Sequence, residues 1–367
     1  MAASWGTAVL AFVLGSGLAQ AQTPDSAAAI IPRAPQIAAA SYILLDAKTG
    51  KVIVEENADQ QLPPASLTKI MTAYIAEVEI DNGNMGLDDM VHISEKAWRT
   101  QGSKMFVDVN SQVRVEDILR GIIIQSGNDA SVAMAEHLAG SEDAFADMMN
   151  QHAQLLGMTN SHFMNASGLD TEEAYNIMSA RDLAILARAT INEHPEHYGI
   201  YSEREFTYNG ISQANRNTLL FQDRTIDGMK TGWTTAAGFC LVASGERDGM
   251  RLISVVMGTA SESARAAETQ KLMTYGFRYF ETHKLYDAGQ AISTARVWSG
   301  AQNEVDLGIA EEVYITIPRG QADQLQATMN VPDTMTAEIS QGEVLGTVDI
   351  MLGEETLYHG DVVALQT

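Results

Sequence analysis

The sequence has a single cysteine, Cys240, so no disulfide can form within the chain. It sits in the apolar run GFCLVAS and is expected to be buried. Positive charge is also scarce: 23 Lys and Arg stand against 47 Asp and Glu, a formal net charge of −24. That balance argues against a general nucleic-acid binder, which carries a basic face. Its main meaning is solubility, and an anionic substrate would need a local positive group to offset the field. No apolar run reaches the 18 residues that a membrane-spanning helix needs. No G-x-S-x-G elbow surrounds a serine, no H-E-x-x-H spacing joins two histidines, and no glycine-rich phosphate loop is present. His194-Pro195-Glu196-His197 is interrupted by its proline and has no third ligand in view. It reads as a surface loop, and no metal or cofactor is implied.

What is present begins with an apolar N-terminus. WGTAVLAFVLGSGLAQA ends in Ala19-Gln20-Ala21, an A-x-A cleavage pattern, and charge is absent until Asp25. Residues 1–21 therefore read as an export signal, although no Lys or Arg precedes the apolar stretch. Residues 22–38 read as a flexible Ala/Pro-rich leader. An exported, acidic, disulfide-free protein suits a bacterial envelope, with the periplasm as its expected location.

The 367 residues, 46% of them hydrophobic, allow about two domains with real cores. SYILLDAKTGKVIVEEN reads as a β-hairpin around a polar turn with Gly50. Pro63-Pro64 stops the strand. Ile70, Met71, Tyr74, Ile75 and Val78 then recur at helical spacing, so SLTKIMTAYIAEVEI is a core-facing helix. Further helices are expected over 115–125, 129–138 and 142–156, the last stopped by Gly157. Ser179-Ala180-Arg181-Asp182 has capping-box spacing and opens another. REFTYNG, GFCLVASGE and MRLISVVMG are β-type runs, the last two joined by a turn at 247–249. LMTYGFRYFETH returns to helical periodicity and closes a first domain, 39–283. From 284 to 367, VYITIPRG, ATMNVP, TAEIS, VLGTVDIML and VVALQ are short strands with Gly, Pro and Asp turns. They predict a small all-β sandwich.

Three motifs could carry chemistry. Ser66-Leu67-Thr68-Lys69 sets a hydroxyl and an amine at i and i+3, on one side of a helix. A lysine held in a pocket beside a helix N-terminus loses its proton more easily and can take one from serine. By itself S-x-x-K is also what a helix-capping serine with a solvated lysine looks like. Ser126-Gly127-Asn128 breaks a helical pattern and would set a hydroxyl and an amide on a loop. Lys230-Thr231-Gly232 opens a β segment followed by small residues, where Gly lets a substrate backbone come close and Lys230 and Thr231 could hold a carboxylate. The Lys-Thr-Gly triplet occurs twice. The earlier copy, Lys48-Thr49-Gly50, precedes S-x-x-K and sits in the hairpin turn. Only the later copy follows the other two motifs in order, 104 residues after Ser126, which is itself 60 after Ser66.

With these residues in this order the chain resembles the serine D-alanyl-D-alanine carboxypeptidases, the low-molecular-mass penicillin-binding proteins of peptidase family S11. The resemblance runs through PASLTKIMTAY, RGIIIQSGNDASVAMAE, Gly168-Leu169-Asp170, SARD, NRNTLL, GMKTGWTTAAGFCLVAS and YGFRYFET into the β-rich tail. It implies an α/β (α+β) transpeptidase/β-lactamase-like domain, an antiparallel sheet flanked by helices, followed by the all-β domain. It implies Ser66 as the nucleophile and Lys69 as its base. Ser126 would relay a proton to the leaving D-alanine, and Asn128 would orient the substrate amide and Lys69. Lys230 and Thr231, with Gly232, would take the terminal carboxylate. The N–H groups of Ser66 and Trp233 would form the oxyanion hole. Arg216, in NRN, is a candidate neighbour on the substrate side of the cleft. The implied partners are a peptidoglycan stem ending in D-Ala-D-Ala and β-lactams as covalent inhibitors.

The chain departs from the pattern in three places. Trp233 follows Lys-Thr-Gly where some relatives carry His. Thr259 and Ala260 stand where some carry Arg, and Arg265 comes further on. The last residues read as strand rather than as the amphipathic membrane-anchoring helix of many relatives, which leaves peripheral attachment open. A D,D-endopeptidase would use the same residues. A class A β-lactamase would need a loop glutamate; NASGLDTEEAYN resembles the carboxypeptidase loop instead, although it contains Glu172 and Glu173. A non-catalytic wall-binding protein would be expected to lose Ser66 or Lys69, and both are intact.

Overall fold

A computed structural model of the 367-residue chain describes residues 5–10, 31–170, 175–332 and 334–367. The chain divides into two compact units, one spanning Ala34–Phe277 and the other built on Arg278–Thr367.

The first unit is organised on a five-stranded antiparallel sheet in the order Val52–Glu56, Ser41–Asp46, Met250–Thr259, Gly238–Arg247, Ile226–Thr234. The expected hairpin is there, with Tyr42 opposite Glu56 and Leu44 opposite Val54. Every residue of Ser41–Asp46 is buried, because the sheet is covered on both faces. Ile43, Leu45, Ile253 and Val255 join the main core, against which helix Ala180–Glu193 packs. Leu44 and Leu252 point the other way, onto helix Glu262–Tyr279. A Cβ on Gly276 of that helix would come within 2.5 Å of Leu252 Cδ1, so glycine lets helix and sheet close up.

Helix Lys69–Asp81 runs through the middle of this core, and its first nine residues are all buried. A helix apolar around most of its circumference belongs inside. Helices Val115–Ile123, Asn128–Ala139 and Glu142–Leu155 surround it. Ser179 caps Ala180–Glu193 by accepting the Asp182 N–H at 3.1 Å. The reciprocal half of the expected capping box is missing. The Asp182 carboxylate instead takes the Asn160 N–H at 2.8 Å and the Ser161 hydroxyl at 2.7 Å.

The second unit is all-β. Its large sheet runs Trp5–Leu10, Leu325–Pro332, Val344–Leu352, Glu355–Ala364, Glu304–Gly308, Ala291–Trp298, Thr334–Thr336, antiparallel except for the last pair. Phe280–Tyr286 pairs separately with Val313–Pro318. Leu325, Ala327, Met329 and Val331 alternate into a core of their own. Of the segment read as an export signal, only Trp5–Leu10 lies within the described residues. Two boundaries differ from expectation. LMTYGFRYFETH is helix only to Tyr279, and Phe280 begins a strand. TAEIS is strand only at Thr336. Strands Ala291–Trp298 and Glu304–Gly308 were not anticipated. No helix among the described residues is long and apolar enough to cross a membrane.

Candidate active site

After Pro63-Pro64 the chain turns sharply. Ala65 takes a left-handed φ of 48°, and Ala65–Thr68 forms a 3₁₀ turn that runs straight into helix Lys69–Asp81. An alanine in that region costs about 1 kcal/mol. The strain is held by close packing on both sides of the turn. On one side lies Gly168, at φ 74°, where a Cβ would stand 1.9 Å from the Ala65 carbonyl oxygen. On the other lies Gly232, where a Cβ would meet the Pro64 carbonyl oxygen at 2.7 Å. Only glycine lets the loop and the strand come this near.

The turn presents Ser66 to a cleft of about 1010 Å³. Lys69, one turn on, is fully buried. Its Nζ donates to Ser66 Oγ at 3.0 Å, to Asn128 Oδ1 at 2.7 Å and to the Ser167 carbonyl at 2.7 Å. Burial, reinforced by the positive charge of Arg216 and opposed by Asp129, brings the Lys69 pKa down to about 7. A neutral amine 3.0 Å from a serine hydroxyl can accept its proton.

Ser126 lies across from Ser66, in the break between helices Val115–Ile123 and Asn128–Ala139. It too adopts left-handed backbone, at φ 59°. Its buried hydroxyl accepts from Lys230 Nζ at 2.9 Å. Burial, then the charges of Lys69, Arg216 and Arg265, hold the Lys230 pKa well below its ordinary value. The Asn128 amide splits its duties, with Oδ1 toward Lys69 and Nδ2 donating to the Gln101 carbonyl at 2.7 Å. Asp129 anchors the cleft wall beside it. Its carboxylate accepts the N–H groups of Met105 at 2.8 Å and Phe106 at 3.0 Å.

The third wall is strand Ile226–Thr234. It is the last strand of its sheet, with Thr231 opposite Leu241 and Trp233 opposite Phe239 on its one paired side. An edge strand offers unpaired backbone groups to an incoming extended chain. Thr231 and Gly232 line the cleft, and Trp233 stands at its lip, 56% exposed, with its ring 5.8 Å from that of Phe239. Arg216 also lines it. The structure thus gathers Ser66, Lys69, Ser126, Asn128, Lys230, Thr231, Gly232, Trp233 and Arg216 around one cleft.

Two participants escaped the sequence reading. The Ser167 carbonyl that holds Lys69 is a backbone group, and no side-chain pattern signals it. Arg265, buried in the cleft wall, was noted only as lying beyond the usual arginine position; its i,i+3 spacing from Glu262 was the available signal. The His194–His197 stretch is not a surface loop. Both histidines are buried, and they share Asp81, His194 Nδ1 at 2.5 Å and His197 Nε2 at 3.0 Å. No cluster of three potential metal-ligating side chains occurs among the described residues. Lys48-Thr49-Gly50 is a turn, its backbone held by Arg188, which donates to the carbonyls of Ala47 and Lys48 at 2.8 and 3.1 Å.

The family model for D-alanyl-D-alanine carboxypeptidases, peptidase family S11, matches residues 28–261. The chain belongs to that family. The model for the C-terminal domain of penicillin-binding protein 5 matches residues 280–367, so the all-β part of this carboxypeptidase-family chain has its counterpart as well. D-alanyl-D-alanine carboxypeptidase DacA of Escherichia coli (strain K12) is 44% identical over 345 residues, covering 92% of this chain and 85% of that one. Among solved structures, penicillin binding protein 5 from Haemophilus influenzae superposes with a TM-score of 0.85 at 42% identity, over 91% of this chain and 98% of that one. A D-alanyl-D-alanine endopeptidase of E. coli is more distant, 29% identical over 80% of this chain and 93% of its own length.

Proposed function

We propose that this member of the carboxypeptidase family removes the terminal D-alanine from peptidoglycan pentapeptide stems through an acyl-enzyme on Ser66, and that β-lactams acylate the same hydroxyl. The observation that carries this reading is the Lys69 amine, buried and titrating near 7 at 3.0 Å from Ser66 Oγ. Lys69 takes the Ser66 proton as Oγ attacks the penultimate carbonyl carbon. The N–H groups of Ser66 and Trp233 are assigned to the oxyanion that forms there. The C–N bond then breaks, and the leaving D-alanine amine receives a proton by way of Ser126, whose hydroxyl is bonded to Lys230. Asn128 keeps Lys69 aimed at Ser66. Lys230, Thr231 and Arg216 bring positive charge and a hydroxyl to the side where the terminal carboxylate lies. Water then hydrolyses the ester and frees Ser66.

The reading extends to the chain's organisation. Residues 1–21 act as an export signal, so that the mature protein lacks the edge strand Trp5–Leu10 and its sheet ends at Leu325–Pro332. Residues 22–38 act as a leader, 39–283 form the catalytic domain and 284–367 the accessory β domain, with the mature protein in the periplasm. The endopeptidase reading uses the same groups on a cross-linked substrate, and the higher identity to DacA than to the endopeptidase favours trimming of free stems. The test is release of free D-alanine from a pentapeptide stem by the purified protein, beside Ser66→Ala. No release by the wild type, or equal release by the variant, overturns the assignment, and so does a penicillin adduct on a peptide lacking Ser66.

A further inference from the structure

The cleft holds a carboxylate of its own. Glu262 begins helix Glu262–Tyr279 and lines the cleft together with Arg265, Arg216, Thr231 and Phe239. Arg265 is almost wholly buried, with its guanidinium 5.7 Å from the centre of the Phe239 ring. Its Nη2 donates to Glu262 Oε1 at 3.1 Å and, at 3.5 Å, to the Arg216 carbonyl. The Arg216 side chain makes no hydrogen bond or ion pair among the described residues. Among the described residues, Glu262 is therefore the one carboxylate that pairs with either arginine of this wall.

We propose that Glu262 is a resident counter-ion that occupies Arg265 in the free enzyme and is displaced by the terminal carboxylate of the substrate. The inference rests on the assignment of this cleft to peptides ending in a free carboxylate. A buried guanidinium needs an anion, and an arginine on the cleft wall is a natural partner for a carboxylate. Two carboxylates cannot share it without repulsion, so the incoming group competes with Glu262. Glu262 has somewhere to go. It also lines a second cavity of about 680 Å³, shared with Thr218, Gln222, Ser261 and Ser263, and its side chain is 57% exposed. Rotation about its own side-chain bonds carries the carboxylate from one cavity toward the other. The exchange makes substrate affinity depend on the charge of the chain end: a free acid can replace Glu262 on Arg265, and a neutral end cannot.

The test compares an N-acylated tripeptide ending in D-alanyl-D-alanine with its C-terminal amide, in steady-state assays of the leaving residue. Glu262→Gln should lower KM for the free acid by roughly two- to fivefold, the range of a partly exposed ion pair, with kcat little changed. KM for the amide should not move. Arg265→Gln should raise KM for the free acid and leave that for the amide alone, and Arg265→Gln with Glu262→Gln should match Arg265→Gln, since Glu262 acts through Arg265. A Glu262→Gln enzyme with unchanged KM for the free acid overturns the inference, as does an equal shift for both substrates. Should the wild type release nothing from either peptide, the proposed function falls with it. Should it turn both over with Glu262→Gln kinetically identical, the inference alone falls.

Discussion

At the scale of single residues, burial supplies the chemistry. Among the described residues no carboxylate is bonded to Lys69; its partners are a hydroxyl, an amide oxygen and a carbonyl. With its charge disfavoured by burial, its pKa of about 7 makes the neutral base available at working pH. The base must be unprotonated, so the rate of acylation by penicillin should rise with pH below about 7 and level off above it. A profile flat from pH 5 to 9 would contradict that role for Lys69. Lys69→Ala should abolish acylation, measured as loss of the covalent adduct by mass spectrometry. Glu77, two turns along the same helix, shows the same physics without an evident catalytic use. It is fully buried with neither carboxyl oxygen bonded among the described residues, and burial, then the nearby Asp81, raises its pKa from 4.5 to about 8. The folded protein therefore keeps a proton that the unfolded chain gives up, and this contribution to stability is lost as pH climbs from about 4.5 through about 8. Glu77→Gln should remove that slope and stabilise the protein by roughly 2–4 kcal/mol at pH 9 but far less at pH 5, read from urea midpoints. Equal slopes for the two proteins would refute it. The sequence could not flag Glu77, because a glutamate in a helix is ordinarily solvated and only the surrounding helices bury it.

At the scale of elements, the site is a turn wedged between a loop and an edge strand. Gly232→Ala forces strand Ile226–Thr234 off the Pro64–Leu67 turn, or the turn off the strand. We expect acylation to slow on the order of a hundredfold, since misplacement of about 1 Å has that effect, with a stability loss of about 1–3 kcal/mol from overpacking. A variant that acylates at the wild-type rate would show the contact to be incidental. The motifs were legible because each falls where the sequence pattern changes: after Pro63-Pro64, between two helices, and at the opening of a β run. Lys48-Thr49-Gly50 and Lys230-Thr231-Gly232 were separable by order alone. What escaped was set by tertiary partners. Asp182 has the residue type and spacing of a capping box, yet Asn160 and Ser161 claim its carboxylate. Phe280 continues a helical pattern, but pairing with Pro318 makes it strand. Ala291–Trp298 alternates too weakly to announce itself, and His194 and His197 turn inward because Asp81 is there to receive them.

At the scale of the molecule, the two units have separate hydrophobic cores. Each can in principle melt by itself, so a single two-state description need not hold. Calorimetry should resolve two transitions, and acylation of Ser66 by a β-lactam should raise only the one belonging to Ala34–Phe277. A shift of both by the same amount would mean that they unfold as one. A consequence for substrate choice lies in the open side of Ile226–Thr234. A strand edge grips the main chain of what lies beside it and is nearly blind to side chains directed elsewhere. Such an enzyme gauges the handedness and the ending of a peptide rather than its composition. It should accept stems that differ at their third residue, and it should refuse those whose final residue is L or whose chain runs on past the end.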